Sequence, residues 1–377
     1  MYKGLVVGIQ DPRYPIHGSA RLTLAILHAL SLNGHRIHYI ASWGNTRTEM
    51  TNIITKSRFG KSSLLMIKIN RIKRPSDFIN IIQTLGSDYD YLLCLDRRYT
   101  LACKYLSNKL GIPMITYMDS PPYLHRERLV GIKDYLARPL ALAWYITIGY
   151  LSDITMCVGE YIEDYLHTWG VRAITIEPTF ALLDETNDPL EKNNDNNYEI
   201  EELNNNAILC SCPHDLTILT ALRNPNLPII ITGPAAYYLK EYLKMKQIAR
   251  EKVRNVYLMH SVGDKTLEEL HEKVIMSLIA RPALSGISMT LIQELYFGKA
   301  VITDTNTASR IRGLTEAGGV IVNDDYREWP NLINKVIRND RYIDELSAKA
   351  KRFFDKKLSP TKFAKSFEHV LRSINVR

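Results

Sequence analysis

Short apolar segments alternate with helical segments along this chain in two separate blocks. The first block opens with an apolar run at 4–9, a loop, a helix that ends near Leu32, and a second apolar run at 36–42. Strands joined through a helix run parallel in one sheet, so this order predicts a doubly wound α/β domain. The alternation resumes after residue 206, which predicts a second domain of the same kind. In the first block we expect a parallel sheet throughout.

A polar segment separates the two blocks. Residues 184–206 are rich in asparagine and acidic residues and offer almost nothing to bury, which is typical of an exposed linker. The chain of 377 residues is long enough for two domains of ordinary size. We therefore predict Rossmann-like domains at 1–183 and 207–341, on either side of this linker. Residues 342–377 are expected to form helices, interrupted near Pro360, that pack back toward the first domain.

The composition is that of a globular protein with an excess of positive charge. The formal net charge of +8 favours anionic partners, among them nucleotide phosphates, anionic lipid and nucleic acid, and does not choose between them. Five cysteines without a disulfide spacing, with one isolated C-x-C at Cys210 and Cys212, indicate a reducing compartment and no zinc site. The apolar run at 4–9 is too short for a signal peptide or a membrane span, so we expect a cytoplasmic protein.

Residues 285–302, SGISMTLIQELYFGKAVI, predict a glycine turn, an amphipathic helix, a second glycine turn and a buried strand. Ser288 is placed to cap the helix, and Gly298 is placed to end it. Apolar residues at helical spacing predict its inward face, namely Leu291, Ile292, Leu295 and Tyr296. The free amides and the dipole at the start of a helix both favour an anion such as phosphate. The segment therefore predicts a phosphate-binding helix above the edge of a sheet.

This segment is similar to the nucleotide-sugar motif of family 4 glycosyltransferases, where a pattern like EGFGLxLLEAMACGKPVI spans the same length without gaps. In that family the first glutamate of the pattern contacts the donor sugar and the second contacts the ribose. Here Ser285 and Gln293 occupy those two positions, and Glu294 follows one residue later. A serine and a glutamine can still form hydrogen bonds with sugar hydroxyls. The resemblance implies that these residues bind the donor: Ser285, Gly286, Ile287, Ser288, Met289, Thr290, Gln293 and Glu294.

Three further segments resemble the same family in order and spacing, at 4–42, 152–180 and 255–274. The resemblance implies a GT-B architecture, in which two Rossmann-like doubly wound domains face a cleft and a helical tail follows. It also implies that a sugar moves from a nucleotide-diphosphate sugar to an acceptor hydroxyl, with retention of configuration and without a metal. The acceptor is a lipid-linked glycan, a polysaccharide or a glycoprotein glycan, and we expect no cofactor besides the donor itself.

The resemblance extends to other positions around the expected cleft. Gly18 lies on the glycine loop after the first strand, and Asp119 is retained where the family often has a histidine–aspartate pair. Asp119 is therefore the one carboxylate that we expect near the reacting carbon, as a catalytic residue. A capping role in the turn before two prolines is its alternative. Further positions match the family's loops beside the base and the donor: Ser261, Val262, Asn306 and Thr307.

A departing diphosphate needs positive charge or amide dipoles around it. The family supplies an arginine and a lysine after the first strand of the second domain, but that place reads LCSCPHDLT here, with His214 as the nearest replacement. Arg281 lies at the start of the motif loop, where its guanidinium can hold a phosphate through two hydrogen bonds. A surface ion pair is the alternative for Arg281. Arg21, in the first helix, faces either the cleft or solvent.

Two stretches, at 56–74 and 123–150, combine basic and apolar residues. Such stretches can dock on the cytoplasmic face of an anionic membrane, where lipid-linked acceptors lie, or can form a charged surface and a core helix. The second stretch is interrupted by Arg138 and Pro139, and the apolar run beyond them is too short to span a bilayer. The sequence therefore leaves peripheral membrane contact open.

Two other classes of function stay open at this stage. The absence of both motif glutamates and of the basic pair fits a nucleotide-sugar-binding protein that does not catalyse transfer. A nucleic-acid-modifying transferase of the same architecture fits the net charge but needs a continuous basic groove. The sequence shows only patches, so we expect no nucleic-acid partner. We also expect no metal, since the acidic cluster at 323–325 is interpreted as a turn.

Overall fold

The computed structural model describes most of the chain, namely residues 2–8, 11–14, 18–42, 49–69, 86, 88–119, 132–184, 186, 188, 206–212, 214–232, 234–245, 253–259, 262–280 and 287–376. These residues form two α/β domains, each built on a largely parallel sheet, and a set of C-terminal helices. The alternation of strands and helices predicted this architecture. Most of the expected linker, at 189–205, lies outside the described residues.

The first domain has a nine-stranded sheet among the described residues. Its strands are β1 (Lys3–Gly8), β2 (Arg36–Ser42), β3 (Glu49–Ser57), β4 (Gly60–Ile69), β5 (Tyr91–Cys94), β6 (Met114–Met118), β7 (Ile154–Cys157), β8 (Ala173–Thr175) and β9 (Leu182–Leu183). Its helices are α1 (Gly18–Leu32), α2 (Thr100–Leu110), α3 (Ile132–Leu151) and α4 (Glu160–His167). The strand order is β8-β7-β6-β5-β1-β2-β4-β3-β9.

Strand β1 is the point at which the strand order changes direction. It pairs in parallel with β2 on one side and with β5 on the other. In an open α/β sheet, such a switch point creates a crevice outside the carboxyl ends of the strands. Those ends are Gly8 in β1, Cys94 in β5 and Met118 in β6. The crevice therefore opens toward the loops that carry Gly18 and Asp119.

The edge of this sheet corrects one prediction. Strand β3 pairs antiparallel with β4, and β9 pairs antiparallel with β3, so the sheet is not parallel throughout. The chain reverses between Ser57 and Gly60, and Gly60 has a φ of 142°, a backbone conformation that suits glycine. Inward residues of the hairpin are buried, among them Ile53 and Leu64. Residues 49–69 therefore form a β-hairpin, which the sequence analysis did not predict.

The second domain has a six-stranded parallel sheet among the described residues, in the order β12-β11-β10-β13-β14-β15. Its strands are β10 (Ala207–Ser211), β11 (Ile229–Thr232), β12 (Val256–Met259), β13 (Val274–Ile279), β14 (Ala300–Thr303) and β15 (Ile321–Val322). Its helices are α5 (His214–Arg223), α6 (Pro234–Met245), α7 (Asp264–Lys273), α8 (Met289–Phe297), α9 (Thr305–Ala308), α10 (Leu314–Ala317) and α11 (Trp329–Ile337). Strand β10 is the switch point of this sheet.

The C-terminal helices connect the second domain back to the first. Helix α12 (Asp340–Phe353) is followed by a single π-helical turn and by α13 (Pro360–Ser373). Ser359 caps α13, because its hydroxyl accepts a hydrogen bond from the Lys362 amide at 3.3 Å. Phe363 and Phe367 of α13 are buried in the core of the first domain, where the Phe367 ring lies 5.2 Å from the Tyr91 ring. The chain therefore ends against the domain in which it begins.

A hydrophobic cluster also joins the two domains near β9. Phe180, which precedes β9, is fully buried against residues of α8 and of the C-terminal segment, including Tyr296 and Phe354. The rings of Phe180 and Tyr296 are 4.9 Å apart. The last described strand of the first domain thus packs beside the motif helix of the second domain.

Candidate functional site

The N-termini of helices α1 and α8 lie close together across the interdomain cleft. Gly18 begins α1 and Met289 begins α8, and a Cβ atom placed on Gly18 would lie 3.7 Å from Cγ of Met289. Ile287 and Met289 pack against the core clusters of both domains. The positive ends of two helix dipoles therefore meet in one place, together with backbone amides that have no partner inside their own helices.

The start and end of α8 follow from local sequence. Ser288 is its N-cap, and the Ser288 hydroxyl accepts a hydrogen bond from the Leu291 amide at 3.3 Å. Gly298 ends the helix with a φ of 66°, in the left-handed region. The predicted inward residues are all buried: Leu291, Ile292, Leu295 and Tyr296. The cap, the inward face and the ending of the motif helix are thus confirmed.

Glu294 points away from the cleft, into the second domain. Its side chain is fully buried, with Nε2 of His271 at 2.9 Å from Oε1 and the Ser277 hydroxyl donating to Oε2 at 2.5 Å. Burial by itself raises the pKa of Glu294, but the His271 charge and the hydrogen bonds from His271, Ser277 and Gln293 outweigh it and lower the pKa. The carboxylate therefore holds α8 to α7 and β13, and its role in donor binding stays a prediction.

His271 is oriented by the same network. Its Nδ1 lies 2.7 Å from the Leu267 carbonyl, which can only accept a hydrogen bond, and its Nε2 faces Glu294. Both ring nitrogens thus face oxygen atoms. The ring also stacks on Phe297 with centroids 3.8 Å apart. These buried contacts hold the motif helix α8 to α7.

Gln293 is half-buried, one residue before this network. Its Nε2 donates a hydrogen bond to Oε1 of Glu294 at 3.2 Å, so the buried carboxylate orients the Gln293 amide. Gln293 is the residue that the sequence comparison placed opposite the ribose. Gln293 lies in the middle of α8, and its assignment to the ribose stays a prediction.

The loop after β14 presents a second part of the site. Asp304 caps α9, because its carboxylate accepts hydrogen bonds from the Thr307 amide and from the Thr307 hydroxyl, both at 2.8 Å. Thr307 is therefore used as part of the turn. Asn306 is half-buried, and its Oδ1 accepts a hydrogen bond from Nη2 of Arg310 at 3.1 Å. The role of Asn306 and Thr307 in donor binding stays a prediction.

Arg310 is a cation that sequence reasoning missed. Its guanidinium lies 5.2 Å from the centroid of the Tyr161 ring, which belongs to α4 of the first domain. Burial raises the pKa of Tyr161, and the nearby Arg310 charge opposes that rise. Arg310 lies in the turn that follows α9, and no local sequence pattern marks it as a cleft cation. Arg310 thus brings positive charge to the edge where the two domains meet.

A cavity of about 430 Å³ lies in the first domain, at the carboxyl ends of β1, β5 and β6. Asp119, which is exposed, belongs to its lining together with Asp96 and Arg97. The remaining lining residues are Gly8, Ser19, Leu22, Thr23, Ile26, Leu95, Arg98, Thr116, Tyr117, Met118, Tyr145 and Ile148. Ser19, the residue after Gly18, lines the cavity, so the cavity adjoins the place where the N-termini of α1 and α8 meet.

Two tyrosine hydroxyls in this lining have no hydrogen-bond partner among the described residues. They belong to Tyr117 and Tyr145, whose side chains are almost completely buried. Burial raises the pKa of both phenols, so both stay protonated. A buried polar group without a partner is costly, and a ligand hydroxyl in the cavity can satisfy both phenols. The cavity therefore suits a hydroxyl-bearing molecule.

Arg21 lies neither in the cleft nor in solvent. Its guanidinium donates two hydrogen bonds to Asp264, at 2.8 and 2.6 Å, and a third to the Ala181 carbonyl at 3.2 Å. Asp264 stands in the first turn of α7 and also accepts a hydrogen bond from the Leu183 amide at 2.5 Å. Arg21 therefore joins the two domains beside the site, and both alternatives derived from the sequence are wrong.

In the described part of the basic stretch at 56–74, the lysines and the arginine form ion pairs with acidic residues of the same chain. Lys56 pairs with Glu268 at 2.6 Å, and Arg58 pairs with Asp355 and packs over Phe354. The other two cations in its described part are bound in the same way, Lys61 to Asp184 at 2.7 Å and Lys68 to Asp11 at 3.7 Å. These charges hold the hairpin to neighbouring parts of the chain.

Several predicted site residues lie outside the described residues: Ser261, Arg281, Ser285 and Gly286. Val262 is half-buried before α7, and Thr290 is half-buried in the first turn of α8. Within the described part of the chain, no group of three or more histidine, cysteine or acidic side chains could hold a metal ion. No helix in that part is both long and apolar enough to cross a membrane.

Solved structures resemble the chain over its whole length. Sucrose-phosphate synthase from Thermosynechococcus elongatus matches with a TM-score of 0.68 at 11% identity, over 99% of both chains. Anabaena HepE in complex with UDP and glucose matches with a TM-score of 0.65 at 12% identity, over 99% of this chain and 100% of that chain. The catalytic domain of starch synthase IV from Arabidopsis thaliana, bound to ADP and acarbose, matches with a TM-score of 0.65 at 12% identity over all of both chains.

These similarities show the fold. The chain has the GT-B architecture, with two Rossmann-like domains and a C-terminal helix that returns to the first domain. No protein-family model matches the sequence, and a search of curated proteins finds no match either. Membership of family 4 therefore stays a resemblance in motif spacing.

Proposed function

We propose that this protein is a glycosyltransferase that moves a sugar from a nucleotide-diphosphate sugar to an acceptor hydroxyl. The observation that carries the proposal is the approach of Gly18 and Met289, which sets two helix N-termini at the edge of a cavity lined by Asp119. The resemblance of the motif at 285–302 points to the same place. The structural neighbours agree, since HepE was solved with UDP-glucose and starch synthase IV with ADP.

The donor diphosphate is proposed to lie between the starts of α1 and α8. Backbone amides and helix dipoles there favour an anion and stabilise the charge that develops as the diphosphate departs. Arg310 adds positive charge at the domain boundary, and Arg281 is proposed for the same diphosphate from the motif loop. The residues proposed around the sugar and the nucleoside are Ser285, Gly286, Ile287, Ser288, Thr290, Gln293, Ser261, Val262, Asn306 and Thr307, whereas Glu294 is buried away from the cleft.

The acceptor is proposed to occupy the cavity of the first domain. Its hydroxyl groups would form hydrogen bonds with Tyr117 and Tyr145, whose own hydroxyls have no partner among the described residues. The exposed Asp119 carboxylate lies in the same lining and is proposed to orient the reacting hydroxyl or the donor sugar. Arranging the two reactants in one cleft supplies much of the rate, because it removes the entropy cost of their encounter.

The transfer step follows from this arrangement. A bond forms between the acceptor oxygen and the anomeric carbon, while the bond between that carbon and the phosphate oxygen breaks. The hydroxyl proton passes to the departing diphosphate, as the retaining course implied by the resemblance requires. We propose that the reaction needs no metal, because the helix N-termini and Arg310 would stabilise the negative charge of the departing diphosphate.

Release of nucleoside diphosphate from UDP-, GDP- and ADP-sugars tests this function. We expect slow release from one of these donors, and a rate that falls at least tenfold in Asp119→Asn while donor affinity is retained, since a group acting in the transition state changes the rate. Asp325→Asn, at an exposed capping position in the second domain, is the matched control and should leave the rate unchanged. Absence of both binding and release with all three donors would refute the proposal.

A second candidate function is a nucleotide-sugar-binding protein without transferase activity. The observation that favours this function is the burial of Glu294, which follows the expected ribose contact Gln293 in the sequence. The Glu294 carboxylate is fully buried and hydrogen-bonded to His271 and Ser277. Tight binding of a donor without release, in the presence of glycan and lipid-linked acceptors, would select this function over transfer.

A further inference from the structure

Helix α3 has two different faces, and no charged residue occurs in it between Arg138 and its end. On one face Tyr145 and Ile148 are buried and line the cavity of the first domain. Toward solvent, Leu140 is 75% exposed and Trp144 is 37% exposed. Surface helices usually carry charges on the outer face, so an uncharged outer face indicates that something covers it.

Neighbouring helices extend this surface. Helix α2 contacts α3 and exposes Leu101 and Tyr105, one turn apart. Trp169, after α4, is also exposed, and its carbonyl accepts a hydrogen bond from the Tyr150 hydroxyl at the end of α3. We call these residues the apolar face: Leu101, Tyr105, Leu140, Trp144, Tyr150 and Trp169. They are six of the twelve large hydrophobic residues exposed in the described part of the chain.

Positive charge borders the apolar face. Arg97 is exposed just before α2, and Lys109 is exposed in its last turn. Two acidic side chains nearby form ion pairs: Asp96 with Arg98 at 2.7 Å and Asp153 with Lys104 at 3.9 Å. The border therefore favours an anionic partner.

We infer that the apolar face docks on the surface of an anionic lipid membrane. Tryptophan and tyrosine combine an apolar ring with a polar tip, and such side chains concentrate where lipid headgroups meet hydrocarbon. Arginine and lysine at the border would lie among anionic headgroups. No described helix can cross a bilayer, so the contact is peripheral, with the apolar face lying in the headgroup layer.

The position of α3 relates this surface to the proposed acceptor site. The helix separates the cavity from the apolar face, with Tyr145 on its inner side and Trp144 on its outer side. A lipid-linked acceptor could thus leave its chain in the membrane while its headgroup enters the cavity beside Arg97. This assignment of the acceptor rests on the proposed function, whereas the docking itself does not.

Co-sedimentation of the full chain with lipid vesicles tests the docking. We expect binding to phosphatidylcholine vesicles that contain about 30% phosphatidylglycerol, and weaker binding without the anionic lipid or at about 0.5 M salt. Leu140→Glu and Trp144→Ser should each weaken binding roughly tenfold, because each removes an apolar group from the buried contact. Leu222→Glu is the matched control on α5 of the second domain, where Leu222 is 50% exposed, and it should bind like the wild type.

Tryptophan fluorescence supplies a second readout. Trp144 and Trp169 should shift to shorter wavelength on vesicle addition, whereas Trp329 is fully buried in the second domain and should not respond. All three substitutions are at exposed sites, so unchanged thermal unfolding will show that the variants are folded.

Three results would overturn the inference. They are no binding to anionic vesicles, an equal loss of binding in Leu222→Glu, and a wild-type dimer that Leu140→Glu dissociates, since a second copy would then cover the apolar face. The assay contains no nucleotide sugar, so failure of the transferase function would leave vesicle binding intact.

Discussion

Arg21 and Asp264 form a buried ion pair that joins the first helix of one domain to the first turn of a helix in the other. Two hydrogen bonds, at 2.8 and 2.6 Å, connect the guanidinium to the carboxylate, and both side chains are almost inaccessible to solvent. The pair lies one helical turn from Gly18, the residue that approaches Met289 across the cleft. It therefore fixes the separation of the two helix N-termini at which we place the donor.

Loss of one partner of this pair should be costly. Arg21→Met leaves the Asp264 carboxylate buried without its counter-charge, and we expect the free energy of unfolding to fall by about 3–5 kcal/mol. Urea denaturation measures this change. Arg327→Met is the control, because Arg327 forms an exposed pair with Asp325 and its loss should cost less than about 1 kcal/mol. Equal effects of the two changes would contradict the role assigned to Arg21.

Gln293 and Glu294 should give opposite results although they are adjacent. Glu294→Ala leaves His271 buried without its partner, so we expect about 3–5 kcal/mol less stability. Gln293→Ala should leave stability nearly unchanged and weaken donor binding by about 0.5–1.5 kcal/mol, the net value of a neutral hydrogen bond. Thermal unfolding and isothermal titration with the donor separate the two effects. Full stability of Glu294→Ala together with lost donor binding would instead make Glu294 the ribose contact.

The network around α8 shows which parts of the site were predictable. Ser288 and Gly298 act on amides and carbonyls within a few residues, so the sequence predicted both ends of the helix. The burial of Glu294 depends on His271 and Ser277, which come from α7 and β13, and a single sequence does not show that these elements meet there. Local capping was therefore predictable, and the inward turn of the carboxylate was not.

The same contrast applies to the domain boundary and the sheet edge. The alternation of strands and helices predicted the parallel strands of both sheets, because each strand–helix–strand unit is local. The partner of Arg21 stands 243 residues further along the chain, and β9 pairs with β3 across more than a hundred residues. Arg310 was missed for a related reason, since its value as a cleft cation depends on Tyr161 in the other domain. Contacts between residues far apart in the chain, including those between the domains, therefore could not be predicted from the sequence pattern.

His28 should make stability depend on pH. Its Nδ1 lies 2.8 Å from the Thr55 hydroxyl and its Nε2 lies 2.9 Å from the Ser57 hydroxyl, and burial lowers the pKa of His28 to about 4. The unfolded chain, with a histidine pKa near 6.5, then binds the proton more readily than the folded chain between about pH 6.5 and 4. Stability should accordingly fall as the pH is lowered through this window, by up to about 3 kcal/mol from this group.

Denaturant unfolding at several pH values checks this expectation. His28→Asn removes the titrating group, so its stability should change less between about pH 6.5 and 4 than that of the wild type. An identical pH dependence in the two proteins would contradict the account of His28.

Tyr145→Phe should separate ligand binding from stability. The Tyr145 hydroxyl is buried and has no partner among the described residues, so its removal should leave stability unchanged or raise it by up to about 1 kcal/mol. The same change should weaken acceptor binding, seen as a higher KM for the acceptor at unchanged donor affinity. Tyr91→Phe is a control for the loss of a buried phenol away from the cavity, at the opposite end of β5, and it should not change this KM. An unaltered KM in Tyr145→Phe would place the acceptor elsewhere.

The most direct test of the central claim is the affinity of Gly18 variants for a nucleotide-diphosphate sugar, measured by isothermal titration. A Cβ atom on Gly18 would make an ordinary contact with Met289 at 3.7 Å, so Gly18→Ala should bind the donor like the wild type. Gly18→Leu would push Met289 and the start of α8 away from α1 and should weaken binding at least tenfold, about 1.4 kcal/mol. If the wild type binds no UDP-, GDP- or ADP-sugar, or if Gly18→Leu binds as tightly as Gly18→Ala, the donor does not lie between α1 and α8.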